Sequence, residues 1–129
     1  MGMELTGKAV MVIEDDYVIA QSLVVLLRSA GANAIGPFGW LDEAIRHAAS
    51  DAYIDAALVD VNLHGEYSYP AVDALLARGA HVVFMTGYAR DSIKPAYSSC
   101  TICTKPFRRA DVVEALLSVP GRQRPAHVS

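Results

Sequence analysis

Four polar clusters interrupt a chain that is 53% hydrophobic, and each follows directly on an apolar run. Glu14-Asp15-Asp16 follows Val10-Met11-Val12-Ile13, and Asp60 follows Ala56-Ala57-Leu58-Val59. Thr86-Gly87 follows Val82-Val83-Phe84-Met85, and Lys105-Pro106 follows Thr101-Ile102-Cys103-Thr104. Singly, each has an ordinary reading: Asp16 caps a helix starting near Tyr17, Thr86 sits in a turn, and Lys105 is a solvated charge. Together they form a coherent chemical set. Carboxylates crowded without a counterion repel and resist ionisation. A hard divalent cation relieves that penalty; Mg2+ takes one or two carboxylates, a backbone carbonyl and waters, leaving positions for phosphoryl oxygens. A free Asp60 carboxylate is then a candidate nucleophile toward phosphorus. Lys105 would neutralise a second phosphoryl oxygen and Thr86 would donate a hydrogen bond to a third, the electrostatic stabilisation on which phosphoryl transfer relies.

Such a set works only if the fold brings the four clusters to one place. The chain alternates short β-branched runs with segments of helical periodicity. Lys8 to Ile13 is continuously apolar, as expected of a strand covered on both faces. Tyr17 to Ala30 is helical and stops at Gly31. Asn33 to Ile35 reads as a weak second strand closed by Gly36-Pro37, and Leu41 to Ala49 as a short helix. Ala56 to Val59 is a third strand, and Ala71 to Arg78 a helix opened by Pro70 and ended by Gly79. His81 to Met85 and Thr101 to Thr104 are the fourth and fifth strands. A helix within Ala89 to Ser98 is interrupted by Pro95, and Arg108 to Leu117 forms the last helix. Pro120 to Ser129 reads as a frayed tail. Five strands and about five helices in alternation predict an α/β fold, a doubly wound parallel sheet with helices on both faces. Ligands of such sheets bind beyond the carboxyl ends of the strands, where the four clusters lie.

Composition narrows the partners. The 129 residues suit one domain, and the formal charge of −3 argues against wrapping nucleic acid. The longest uncharged apolar run, Tyr17 to Leu27, is about half of the ~20 residues a bilayer span requires. Met1 to Thr6 lacks the apolar core of a secretory signal, so a cytoplasmic protein without membrane contact is expected. No glycine-rich phosphate loop follows the first strand, which disfavours a dinucleotide site or a phosphate-cradling hydrolase. Cys100 and Cys103 have the spacing of a redox dithiol, but they lie in a strand rather than at a helix start, so a structural role is expected.

Glu14-Asp15, Asp60-Val61-Asn62-Leu63, Thr86-Gly87 and Lys105-Pro106-Phe107, in that order and at strand ends, resemble the receiver domain of two-component response regulators. The resemblance covers about Lys8 to Leu117. It implies a flavodoxin-like sheet of order 2-1-3-4-5, a receiver domain over 1–119 and a flexible tail over 120–129. By position, Asp60 resembles the phosphoacceptor. Glu14 and Asp15 resemble the acidic pair that binds Mg2+ with Asp60, and Asn62 the residue whose backbone carbonyl completes the metal site. Thr86 would be the switch hydroxyl and Lys105 the phosphoryl-contacting lysine, with a cis Lys105–Pro106 bond. The implied partners are a sensor histidine kinase or a histidine phosphotransfer protein, and a homodimer is compatible with the pattern. The implied activity is a phosphorelay switch rather than a metabolic enzyme, and the resemblance leaves no residues after the last helix for an output domain.

Two departures stand out. Ile102 occupies the place where the family carries Tyr or Phe, so an aromatic rotation there is unavailable. Phe84-Met85-Thr86-Gly87-Tyr88 resembles the Phe-Ala-Thr-Gly-hydrophobic-Tyr signature of stand-alone bacterial receivers linked to stress signalling, with Met85 for Ala and Tyr88 directly after the glycine. Tyr88 is thereby a candidate readout residue, and an ordinary loop tyrosine is the alternative. Phe38 and Trp40 are expected to staple the second helix to the sheet. Arg108 and Arg109 would flank the site as a solvated helix start, and the four histidines are too scattered for a metal site. The competing functions are a degenerate receiver that binds a partner without phosphorylation, and a small phosphoaspartyl hydrolase. The latter generally needs a lid to dry its substrate.

Overall fold

A computed structural model describes residues 3–87 and 93–118. Its main sheet contains β1 (Ala9–Ile13), β2 (Asn33–Phe38), β3 (Ala56–Asp60), β6 (His81–Thr86) and β7 (Thr101–Thr104) in the order β2-β1-β3-β6-β7. Numbered among themselves these five strands run 2-1-3-4-5, all parallel, as expected. The small ladder β4 (Asn62–Leu63) and β5 (Glu66–Tyr67) is antiparallel and lies outside that sheet.

Alternation along the strands divides the core in two. Met11, Ile13, Ala57, Val59, Val82 and Phe84 face one layer, built with α2 (Leu41–Ala48) and α3 (Tyr69–Ala77). Val10, Val12, Leu58, Val83 and Met85 face the other, against Leu23, Val24 and Leu27 of α1 (Tyr17–Ser29) and Val112, Val113 and Leu116 of α4 (Arg109–Leu117). The central strand β3 is buried from Ala56 to Val59. Only its last residue, Asp60, emerges from the core, which is why a charged side chain is tolerated there.

The structure corrects the sequence reading in four places. β2 continues through Gly36-Pro37 to Phe38 rather than ending before it. It is the edge strand, where the N–H that proline lacks is not needed by a neighbour, and the pairing register with β1 shifts between Met11 and Ile13. The β4–β5 hairpin was not expected, because two-residue polar strands carry no periodic signal. The expected helix within Ala89 to Ser98 falls partly outside the described residues. The described part is a 3-10 turn at Pro95–Tyr97, leaving four α-helices among the described residues. Arg108 precedes the last helix as its N-cap, its backbone N–H donating to Asp111 Oδ2 at 3.0 Å. The tail over 120–129 also lies outside the described residues.

Cys100 and Cys103 are both buried, free, and on opposite layers of the core. Burial pushes both thiols above their ordinary pKa, the reverse of a reactive dithiol. No described helix is long and apolar enough to cross a membrane.

Gly31 ends α1 with φ +89°, and a methyl group there would lie 2.7 Å from Thr6 Oγ1 and 3.2 Å from Thr6 Cα. Gly79 has φ +80° but open space around it. Gly79→Ala should therefore cost only the left-handed backbone penalty of about 1 kcal/mol. Gly31→Ala should cost about 1–3 kcal/mol more in chemical denaturation, since overpacking adds to that penalty. Equal losses would show that the Thr6 contact relaxes freely.

Candidate functional site

Parallel pairing puts the carboxyl ends of β1, β3, β6 and β7 on one edge of the sheet. Glu14 and Asp15 leave β1 there, with Glu14 N–H donating to Phe38 O at 2.9 Å. Asp16 turns into α1, and its side chain accepts from Ile19 N at 3.1 Å, the N-cap expected of it. Glu14, Asp15 and Asp60 each offer a carboxylate oxygen, and these oxygens lie within 4.8 Å of one another. The Lys105 ammonium donates to Glu14 Oε1 at 3.0 Å and to Asp60 Oδ2 at 3.4 Å. Lys105 is held by its own strand exit: its N–H donates to Thr86 O at 2.7 Å, and the Lys105–Pro106 bond is cis, as the resemblance implies. Of the expected site residues, Glu14, Asp15, Asp60 and Lys105 are thus brought together directly.

Thr86 is 1% exposed at the end of β6, beside β3 on one side and β7 on the other. Asn62 is exposed at the start of β4, two residues after Asp60. Its N–H points at Asp60 Oδ1 at 3.4 Å, and its side-chain oxygen accepts from Gly65 N at 2.9 Å. Ile102 is half-buried opposite Phe84, in the apolar layer rather than in the cleft. Tyr88 lies outside the described residues.

The electrostatics are unbalanced. Glu14's side chain is 1% exposed against 18% for Asp60. Burial raises the Glu14 carboxyl, and Asp60 beside it raises it further, to about 8. The hydrogen bonds from Asp16 N–H and Lys105 oppose this less strongly. For Lys105, burial favours the neutral amine, but Glu14 and Asp60 outweigh it and hold the ammonium above its usual pKa. Three clustered carboxyls facing one ammonium leave the cleft short of positive charge. The donor set is all oxygen, which suits a hard cation such as Mg2+.

Two residues at this edge were not placed in the site by the sequence reading. His64, with φ 49°, donates its backbone N–H to Asp15 Oδ2 at 2.8 Å. Its ring stacks on Trp40 at 3.7 Å between centroids. The sequence holds no local signal for this, since the two rings belong to different loops. Trp40 is therefore not a staple of α2; Phe38 alone packs against the core, with His47 5.0 Å from its ring. His81 sits at the start of β6, at the opposite edge, 3.3 Å from the Thr101 hydroxyl, and His127 lies outside the described residues. Arg109 is engaged by Glu4 at 3.0 Å and by Ser29, and Arg108 pairs with Asp111 at 3.5 Å.

No protein-family model matches the chain, and no curated protein does. Solved structures do. SdrG from Sphingomonas melonis Fr1 is 34% identical, with a TM-score of 0.75 over 89% of this chain and 98% of SdrG. The BeF3-activated conformation of SdrG from Pseudomonas melonis Fr1 is 32% identical, with a TM-score of 0.71 over 84% of this chain and 92% of that one. The receiver domain of the sensor histidine kinase PA1611 from Pseudomonas aeruginosa PAO1, solved with a magnesium ion in its active-site cleft, is similar in fold. It is 24% identical, with a TM-score of 0.74 over 86% of this chain and 95% of that one.

The raised Glu14 carboxyl has a consequence for stability. The folded chain keeps this proton at pH values where the unfolded chain has released it. The contribution is full below the ordinary carboxylate range and is lost as pH rises through about 8. Without divalent cation, the thermal midpoint of the wild type should fall between about pH 5 and pH 9 relative to Glu14→Gln, whose profile should be flatter. Parallel profiles would show that Glu14 titrates normally.

Proposed function

The chain belongs to the CheY-like response regulator receiver domains, and from that membership we propose that it takes a phosphoryl group on Asp60 and acts as a phosphorylation-dependent switch. The single observation that carries this reading is the placing of Asp60. It is the only charged residue of the central strand, emerging at the strand's carboxyl end beside Glu14 and Asp15 and in contact with the Lys105 ammonium. The BeF3-activated conformation of SdrG supports it by similarity.

In this reading an Asp60 carboxylate oxygen attacks the phosphorus of a phosphohistidine on a sensor histidine kinase or histidine phosphotransfer protein. A P–O bond forms as the P–N bond breaks, and the bonding pair stays on the departing imidazole nitrogen. Lys105 already touches Asp60 and neutralises charge gathering on the transferred group. Thr86, at the end of the adjoining strand, donates its hydroxyl to a phosphoryl oxygen once the group is in place. Glu14, Asp15, Asp60 and the Asn62 carbonyl would hold Mg2+, as the oxygen-only donor set and the charge shortfall favour. Bound there, the ion supplies positive charge opposite the phosphoryl oxygens. The acyl phosphate is ended by water attacking phosphorus and releasing the Asp60 carboxylate. The aspartyl phosphate carries roughly two negative charges where the free carboxylate carried one, and the change biases Thr86 and the segment that follows it. With Ile102 offering no swinging aromatic ring, that segment carries the signal to a protein partner.

Incubation with Mg2+ and acetyl phosphate, read by intact mass, should add one phosphoryl group to the wild type and none to Asp60→Asn. Lys105→Ala should slow the addition by at least tenfold, the usual scale for losing one preplaced charge-stabilising group. Labelling of Asp60→Asn at the wild-type rate would overturn the assignment.

A further inference from the structure

We propose that Trp40 and His64 form a clamp that positions Asp15 for a divalent cation, a role that rests on the cation reading above. The turn after β2, the turn after β1 and the turn after β4 meet at one point. A methyl group at Gly39 would lie 3.6 Å from Asp15 Cα and from Glu14 O, and 3.9 Å from His64 Nε2. At that point His64 adopts φ 49°, a conformation a side-chain-bearing residue holds only when its surroundings impose it. The conformation aims the His64 N–H at Asp15 Oδ2, 2.8 Å away, and brings the ring to 3.9 Å from the same oxygen through Nδ1. The opposing wall is Trp40, whose ring lies 3.7 Å from the imidazole at an interplanar angle of 16°.

Asp15 Oδ2 thus accepts from the His64 backbone, a contact that restrains the carboxylate beside the acidic cluster. A partner that orients a metal-binding carboxylate is worth about 10–100-fold in metal affinity. The stack itself contributes little to the core, since Trp40 is 54% exposed and His64 lies in an exposed turn. Its effect should therefore appear in cation binding rather than in overall stability. Trp40 is also the chain's single tryptophan, so its emission reports on the clamp alone.

The test is a Mg2+ titration of the full chain followed by calorimetry and by Trp40 emission. In the wild type the emission should change saturably, with the calorimetric midpoint. His64→Gly keeps the N–H donor and accepts the left-handed backbone, so it removes only the ring. It should weaken Mg2+ roughly tenfold and abolish the emission response, with an unchanged thermal midpoint. Trp40→Ala should weaken Mg2+ to the same extent, the double variant no further, and Trp40→Phe should restore most of the affinity. Wild-type affinity in both single variants, or additive losses in the double variant, would overturn the clamp while leaving the phosphoacceptor reading intact. A wild type that binds no Mg2+ would overturn both the clamp and the cation reading.

Discussion

The contact between the Lys105 ammonium and the carboxylates of Glu14 and Asp60 ties the strand ends of this fold into one site. It links β7 to β1 and β3 across the carboxyl edge of the sheet, at 3.0 and 3.4 Å. The parallel pairing leaves the chain little choice. Parallel strands bring their carboxyl ends to one edge, so Glu14, Asp15 and Asp60 are forced together whatever their mutual repulsion. One ammonium offsets part of that repulsion, and the remainder shows in Glu14, pushed to about 8 by burial and by Asp60. The strain of like charges at a strand edge is thus built into the topology, and ligands of opposite charge relieve it.

This imbalance unites the two halves of the proposed chemistry. A divalent cation and a phosphoryl group carry opposite charges, and neither alone suits a cleft with three carboxyls and one ammonium. Together they do, since the ion faces the acidic pair while Lys105 faces the phosphoryl oxygens. The proposed switch follows from the same arithmetic of charge. Converting Asp60 from a carboxylate to an acyl phosphate changes what Lys105 and Thr86 must neutralise, and both are anchored on strands that end beside it.

What could be read from the sequence follows from how far each signal reaches along the chain. β1, β3 and β6 announce themselves as unbroken apolar runs because both of their faces are covered, and the polar residue ending each run marks the site. β2 was cut short at Gly36-Pro37 because a proline in a strand reads as its end unless the strand is known to lie at an edge. The β4–β5 hairpin is too short and too polar for any periodicity. The Trp40–His64 contact escaped notice for a different reason: it joins two loops distant in sequence, each of which looks like an ordinary turn. Cys100 and Cys103 show the converse. Their spacing suggests a dithiol, yet only Cys103 lies in β7 while Cys100 precedes it, against the expectation of one strand for both, and the structure buries them in separate layers.

The central claim, that Asp60 is the nucleophile of this cluster, is tested most directly by trapping the acyl phosphate chemically. Borohydride reduces an aspartyl phosphate to homoserine, and peptide mass spectrometry then locates it. After incubation with Mg2+ and acetyl phosphate, homoserine should appear at position 60 and at no other acidic residue. Homoserine at position 15 in place of 60 would contradict the account, as would its absence from a chain that has gained phosphoryl mass.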